Sequence, residues 1–178
     1  MSQKRAHDSE GADMPRKTAA SDDVDVFNAL SKAVRKHKTQ KAIRIMSEYN
    51  LSPNVKLPLG MRPLMLCANA DNVEFAKWLV LNGAKPDKLF MGATALTFAC
   101  RVNSPRVAQY LAQAGASLNP PCPAYPALVE AARSGHDMIV YALLAAGANK
   151  DVRDAYDGRT ALMYARDRGH TAVIRLLE

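Results

Sequence analysis

From residue 63 to the last residue, short apolar stretches at helical spacing alternate with polar breaks, and the alternation repeats. Leu64, Leu96, Leu128 and Leu162 open successive stretches, at intervals of 32, 32 and 34 residues. Gly-Ala pairs close a second stretch in each unit, at Gly83-Ala84, Gly115-Ala116 and Gly147-Ala148, spaced by 32 and 32. An Asn or Asp follows a few residues on, at Asn54, Asp87, Asn119 and Asp151, spaced by 33, 32 and 32. Three markers on one period define a repeating unit, and each unit predicts two short helices. They are expected near 63–70 and 73–82, 95–102 and 105–114, and 127–134 and 137–146. Upstream, Val24, Phe27, Leu30 and Val34 fall on one helical face, and Ile43, Ile45 and Met46 serve a second helix.

The breaks carry their own chemistry. Thr94 and Thr160 stand where a hydroxyl can cap the first helix of a unit. Pro63 suits a first helical turn, and Ser104-Pro105 reads as a cap followed by proline at the first helical position. Gly135 and Gly169 fall between the paired helices, where a positive φ is expected; Asp71 and Asn103 occupy the same place and tolerate that conformation. Gly83, Gly115 and Gly147 are expected to cap the second helices at their C-termini. Trp78-Leu79 and Tyr110-Leu111 are expected on inward faces. The stretch 121–126 holds three prolines and predicts a stiff, atypical loop.

The clearest unit runs Asp157-Gly158-Arg159-Thr160-Ala161-Leu162-Met163-Tyr164-Ala165, followed by Gly169-His170. It resembles the ankyrin repeat, a hairpin followed by two helices with a T-P-L-H-x-A signature. The resemblance extends over about 24–178, with repeats at about 24–56, 57–88, 89–120, 121–153 and 154–178. It implies an all-α solenoid of helix-turn-helix units joined by short β-hairpin loops. The signature histidine is replaced by Met65, Thr97, Val129 and Met163. The aspartate that usually opens a repeat is read as replaced by Leu57, Leu89, Pro121 and Ala155, which leaves the rigidity of the loops open. The first unit lacks hairpin and signature, as a terminal capping repeat does. The fifth reaches Glu178 inside its second helix, so that helix is expected either to close the stack or to mark a shortened chain.

Composition alters this picture little. Residues 1–22 are polar, with almost no large apolar side chain, and are expected to be a disordered tail. Its basic pairs Lys4-Arg5 and Arg16-Lys17 are spaced like a two-part nuclear import signal. No apolar run approaches the roughly 18 residues of a membrane span. Three cysteines form no CxxC pair, and Cys67 and Cys100 fall on first helices, so free thiols and a cytoplasmic or nuclear location are expected. The net charge of +7 is uneven. Residues 24–56 hold seven basic side chains against two acidic ones.

Candidate chemistry is sparse. His7, His37, His136 and His170 form no nucleophile–base pattern, no phosphate-binding glycine loop occurs, and metal-ligand spacing is absent. The expectation is therefore a non-enzyme with no cofactor and no metal. The resemblance implies a protein–protein interaction module, an adaptor, scaffold or inhibitor, that binds through hairpin tips and first helices. Carried onto this chain, the tips are unusually apolar: Leu57, Leu59 and Met61, then Leu89, Phe90 and Met91, then Cys122 and Tyr125, then Tyr156. Such a stripe marks an interaction surface, or else packs against neighbouring loops. Beside it, Asn69, Arg101, Arg133, Arg166 and Asp167 make a mostly basic floor. An apolar, somewhat acidic protein segment is the expected partner. Lys32, Arg35, Lys36, Lys38, Lys41 and Arg44 form a candidate anion-binding cluster. With no aromatic interleaved, nucleic acid is the less favoured reading of that cluster. A monomer is expected, and the recognition part of a larger protein is the remaining alternative.

Overall fold

The computed structural model describes residues 20–119 and 126–178, with side chains from Val24 onward. The expected tail up to residue 19, and Cys122 and Tyr125 in the proline-rich loop, lie outside the described residues. Ten α-helices occur among the described residues, in five antiparallel pairs: α1 (Ala20–Arg35) with α2 (Thr39–Glu48), α3 (Pro63–Ala70) with α4 (Val73–Leu81), α5 (Ala95–Arg101) with α6 (Pro105–Gln113), α7 (Ala127–Ser134) with α8 (Asp137–Ala145), and α9 (Ala161–Asp167) with α10 (Thr171–Leu177). The odd-numbered helices pack one on the next as an inner row, and the even-numbered helices form an outer row. The chain is an all-α repeat solenoid.

The period follows from where the large side chains go. Leu30, Leu64, Leu96 and Leu128 are buried on the inner row, and Phe75, Leu79, Leu111, Ile139 and Leu143 on the outer row. The core is one continuous cluster from Val26 to Leu177. In α1 the buried face is Val26, Leu30, Ala33 and Val34, whereas Val24, expected inside, is half exposed. Leu79 is buried as expected, and Trp78 beside it is only partly so. The second helices close as predicted: beyond Gly83, Ala84 N–H donates to Leu79 O at 2.9 Å, and Ala116 and Ala148 repeat the bond at 3.0 and 2.9 Å.

Helix starts are closed in two ways. Thr94 and Thr97 bond reciprocally, side chain to backbone, so Thr97 completes a capping box where the family motif has histidine. Thr160 accepts from Met163 N–H. Ser104 stands at the N-cap of α6 but makes no cap bond there. Its hydroxyl donates to Ala68 O of the preceding repeat. The cap is supplied from the preceding repeat as well: Asp71 Oδ1 accepts from Val107 N–H at 2.9 Å. Asp71 therefore serves both its own left-handed turn (φ 47°) and the neighbouring helix.

The Asn and Asp markers also tie repeats together. Asn54 accepts from Lys85 N–H at 2.7 Å and donates to Gly83 O at 2.8 Å; Asp87 accepts from Ser117 N–H at 2.9 Å. Inside the stack, Asn72 caps α4 through Phe75 N–H (3.1 Å) and donates to Val34 O (2.9 Å). His170, at the equivalent place in the last repeat, meets Arg133 O at 3.2 Å.

Candidate partner-binding surface

Three of the loops that enter the inner helices turn at an X-Gly pair four residues before the marker leucine: Leu59-Gly60, Met91-Gly92 and Asp157-Gly158. They bear little regular sheet. Two isolated bridges, Phe90 with Ala93 and Arg153 with Thr160, stand where hairpins were expected, and Pro58–Gly60 forms a 3-10 turn. Phe90 and Ala93 exchange both backbone bonds at 2.9 Å, so Met91-Gly92 is a two-residue turn with both φ values positive, 48° and 78°. Leu59-Gly60 matches it with φ values of 65° and 78°. Such turns favour Asn or Asp before Gly, because a large L side chain is strained there.

The expected apolar stripe divides in two. Leu57 is only 2% exposed and belongs to the core, which corrects its reading as a tip residue. Met61 and Phe90 are partly buried against the core. The Phe90 ring lies over the preceding turn, so that a β-carbon at Gly60 would meet it at 3.6 Å. Packing between loops thus accounts for these three. Leu59 (85% exposed), Met91 (90%), Leu89 and Tyr156 face solvent.

The basic floor is less basic than its arginine count. Glu130, on α7, is wholly buried between two of them. Its carboxylate accepts from Arg101 Nε at 2.8 Å and from Arg133 Nη2 at 3.1 and 3.2 Å. Two guanidinium groups share this one carboxylate. Arg166 pairs with Glu178 at 2.8 Å.

Among the described loops, the last is held by the most side-chain hydrogen bonds. Asp154 is buried and accepts N–H bonds from Tyr156 (2.7 Å), Asp157 (3.0 Å) and Arg159 (3.0 Å), and the Tyr164 hydroxyl at 3.2 Å. Burial alone pushes its carboxyl up, but these donors outweigh it and hold the group down to about 2. Asp154 is therefore the opening aspartate of this repeat. The reading that placed Ala155 there was one residue out of register. Arg159 caps the arrangement, its guanidinium 4.7 Å from the Tyr164 ring centre and paired with Asp167.

The candidate anion cluster also divides. Lys32, Lys36, Lys38 and Lys41 surround one hollow between α1 and α2. Arg35 lines a different hollow, with Phe27, Met61 and Leu66, and Arg44 is paired with Glu48 at 2.9 Å.

A family model described as "Ankyrin repeats (3 copies)" matches residues 30–122 and 124–178. The chain belongs to the ankyrin repeat family. It is 31% identical over 189 aligned residues to the putative ankyrin repeat protein FPV022 of Fowlpox virus (strain NVSL). The alignment covers 98% of this chain and 30% of that relative, so the chain spans about a third of the length of the curated relative it matches. An ankyrin solenoid is a protein–protein interaction module, and members of the family are generally non-catalytic. Among the described residues, no helix is long and apolar enough to cross a membrane.

Sequence reasoning marked Asn54 and Asp71 only as turn residues and missed Asn72 and Glu130 altogether, because the bonds all four make to a neighbouring repeat leave no local signal. For Leu59 and Met91 a signal existed. Both sit directly before glycine in the register where Asp157 precedes Gly158.

Proposed function

We propose that this protein is a non-catalytic adaptor or inhibitor that holds an apolar, mildly acidic protein segment across the turns of its second and third repeats. One observation carries the reading. At two equivalent turns, 32 residues apart, a large apolar side chain is almost fully exposed on left-handed backbone. Each placement is unfavourable twice, in backbone strain and in apolar surface left in water. Folding alone is better served by Asn at both positions. Leu89 extends the apolar surface, and the Arg101 guanidinium, whose side chain is 46% exposed, favours an acidic neighbour in the bound segment.

The test compares affinity capture from a cell lysate by the wild type and by a Leu59→Asn/Met91→Asn double variant, with thermal melts of both. The expected outcome is a protein partner lost by the variant at high as well as low salt, while its melt stays level or rises. Undiminished capture would remove the turns from the binding surface. A collapsed melt would make their side chains structural.

A further inference from the structure

The open hollow between α1 and α2 has a volume of about 380 Å³ and is lined by Lys32, Lys36, Lys38 and Lys41, with Asn28 and the alanines at 29 and 33. Its construction follows from the sequence. Asn28, Lys32 and Lys36 are spaced by four and stack along one face of α1. His37 then takes a left-handed φ of 52° and turns the chain back. His37 N–H donates to Val34 O at 3.0 Å and Lys38 N–H to Ala33 O at 2.9 Å, which seats the start of α2 against the end of α1. Lys38 and Lys41 thereby reach the face that already carries Lys32 and Lys36. The ion pairs formed among the described residues use other groups, and Glu48, the acid of α2, is held by Arg44 at the far end of that helix. The first turn of α2 contains no acid and has no side-chain cap. Asp25, the nearest described acid on α1, lies two turns before Lys32.

We infer that this hollow binds a compact small molecule carrying two or more phosphate groups. Four lysines line one concavity with no carboxylate in its lining, so their like charges favour the entry of an anion. Ammonium groups are point-charge partners for phosphate oxygens, and several can share one tetrahedral group. The volume lies near the lower end of small-ligand pockets. Nucleic acid fits less well. The lysines line one open hollow, no aromatic side chain lines it for base stacking, and the two arginines of the cluster are engaged elsewhere.

The site is tested on the whole chain by titration calorimetry with inorganic triphosphate. A parallel sedimentation assay uses neutral vesicles with and without a polyphosphorylated inositol lipid. Saturable triphosphate binding is expected, weakened about tenfold by Lys38→Gln and about a hundredfold by Lys32→Gln with Lys38→Gln. Arg35→Gln and Arg44→Gln should leave it within about twofold. Vesicle binding with the same variant pattern would place the phosphate on a lipid headgroup, and its absence beside triphosphate binding would place it on a soluble ligand. The inference is overturned if triphosphate does not bind at near-physiological salt, or if the arginine variants weaken it as much as the lysine variants do. It is also overturned if a short duplex or single strand binds more tightly than triphosphate.

Discussion

Leu59 and Met91 occupy backbone that suits asparagine, and the consequence for stability can be separated from that for binding. Replacing either by Asn relieves left-handed strain worth roughly 1 kcal/mol and removes exposed apolar surface. Each single variant is therefore expected to raise the denaturation midpoint or leave it unchanged, as followed by circular dichroism. A drop of more than about 1 kcal/mol would mean that these side chains hold the loops together. Asp154 makes the opposite kind of contribution. Its carboxyl is held at about 2, below the ordinary unfolded value near 4, so its stabilisation is fully present above pH 4 and fades as pH falls towards 2. Asp154→Asn should cost about 2 kcal/mol at neutral pH and flatten the acid limb of the stability curve between pH 4 and pH 2. An unchanged acid limb, measured by urea unfolding at several pH values, would contradict the hydrogen-bond account.

The helix pair is the unit in which turn chemistry becomes packing. Between α7 and α8, Gly135 has a φ of 78°, and a β-carbon there would lie 2.8 Å from the His170 imidazole of the next repeat. Gly135→Ala therefore meets backbone strain and a steric clash together, and should cost roughly 2 kcal/mol. Removing the ring with His170→Ala in the same chain should return only the steric part. A double-mutant cycle in denaturant measures it, and perfect additivity would show that the ring moves aside freely. The equivalent place in the second repeat is Asp71, which reaches left-handed φ without glycine and uses its side chain to cap α6. The same turn is thus a clearance requirement in one repeat and a hydrogen-bonding position in another.

At the scale of the whole molecule, each repeat is held by its neighbours. The core is continuous, and Asn54, Asn72, Asp71, Asp87, Ser104 and His170 each bond into an adjoining repeat. Nearest-neighbour coupling of this kind makes a short stack melt as one unit. The single tryptophan, Trp78, reports on the second repeat alone, whereas circular dichroism reports on all the helices. The two melting curves should coincide in the wild type. Asn72→Ala removes a helix cap and the bond to Val34 O together and should cost about 2 kcal/mol, lowering both curves equally. A tryptophan transition that precedes the helical one would show that the second repeat opens separately.

Periodicity, caps and turn residues are local properties, and from them the sequence alone determined the fold. The marker leucines, the Gly-Ala closures, Thr94, Thr160 and Pro63 each impose their conformation within a few residues, so their spacing carried the helix pairs and the ankyrin architecture. The candidate surface was legible only as a list of apolar loop residues. Leu57 and Tyr156 look alike in sequence, yet the first is core and the second faces water, because burial depends on what the next repeat places above a loop. The cross-repeat bonds of Glu130, Asn54 and Asp71 were invisible for the same reason: those partners lie about 30 residues away. The opening aspartate was misplaced by one residue because the donors that define Asp154 converge on it only when the loop closes. Lys32 and Lys41 share a hollow through the left-handed turn at His37, whereas Arg35 leaves it by its phase on α1. Composition counts charges, but only the tertiary path of the chain decides which of them face one another.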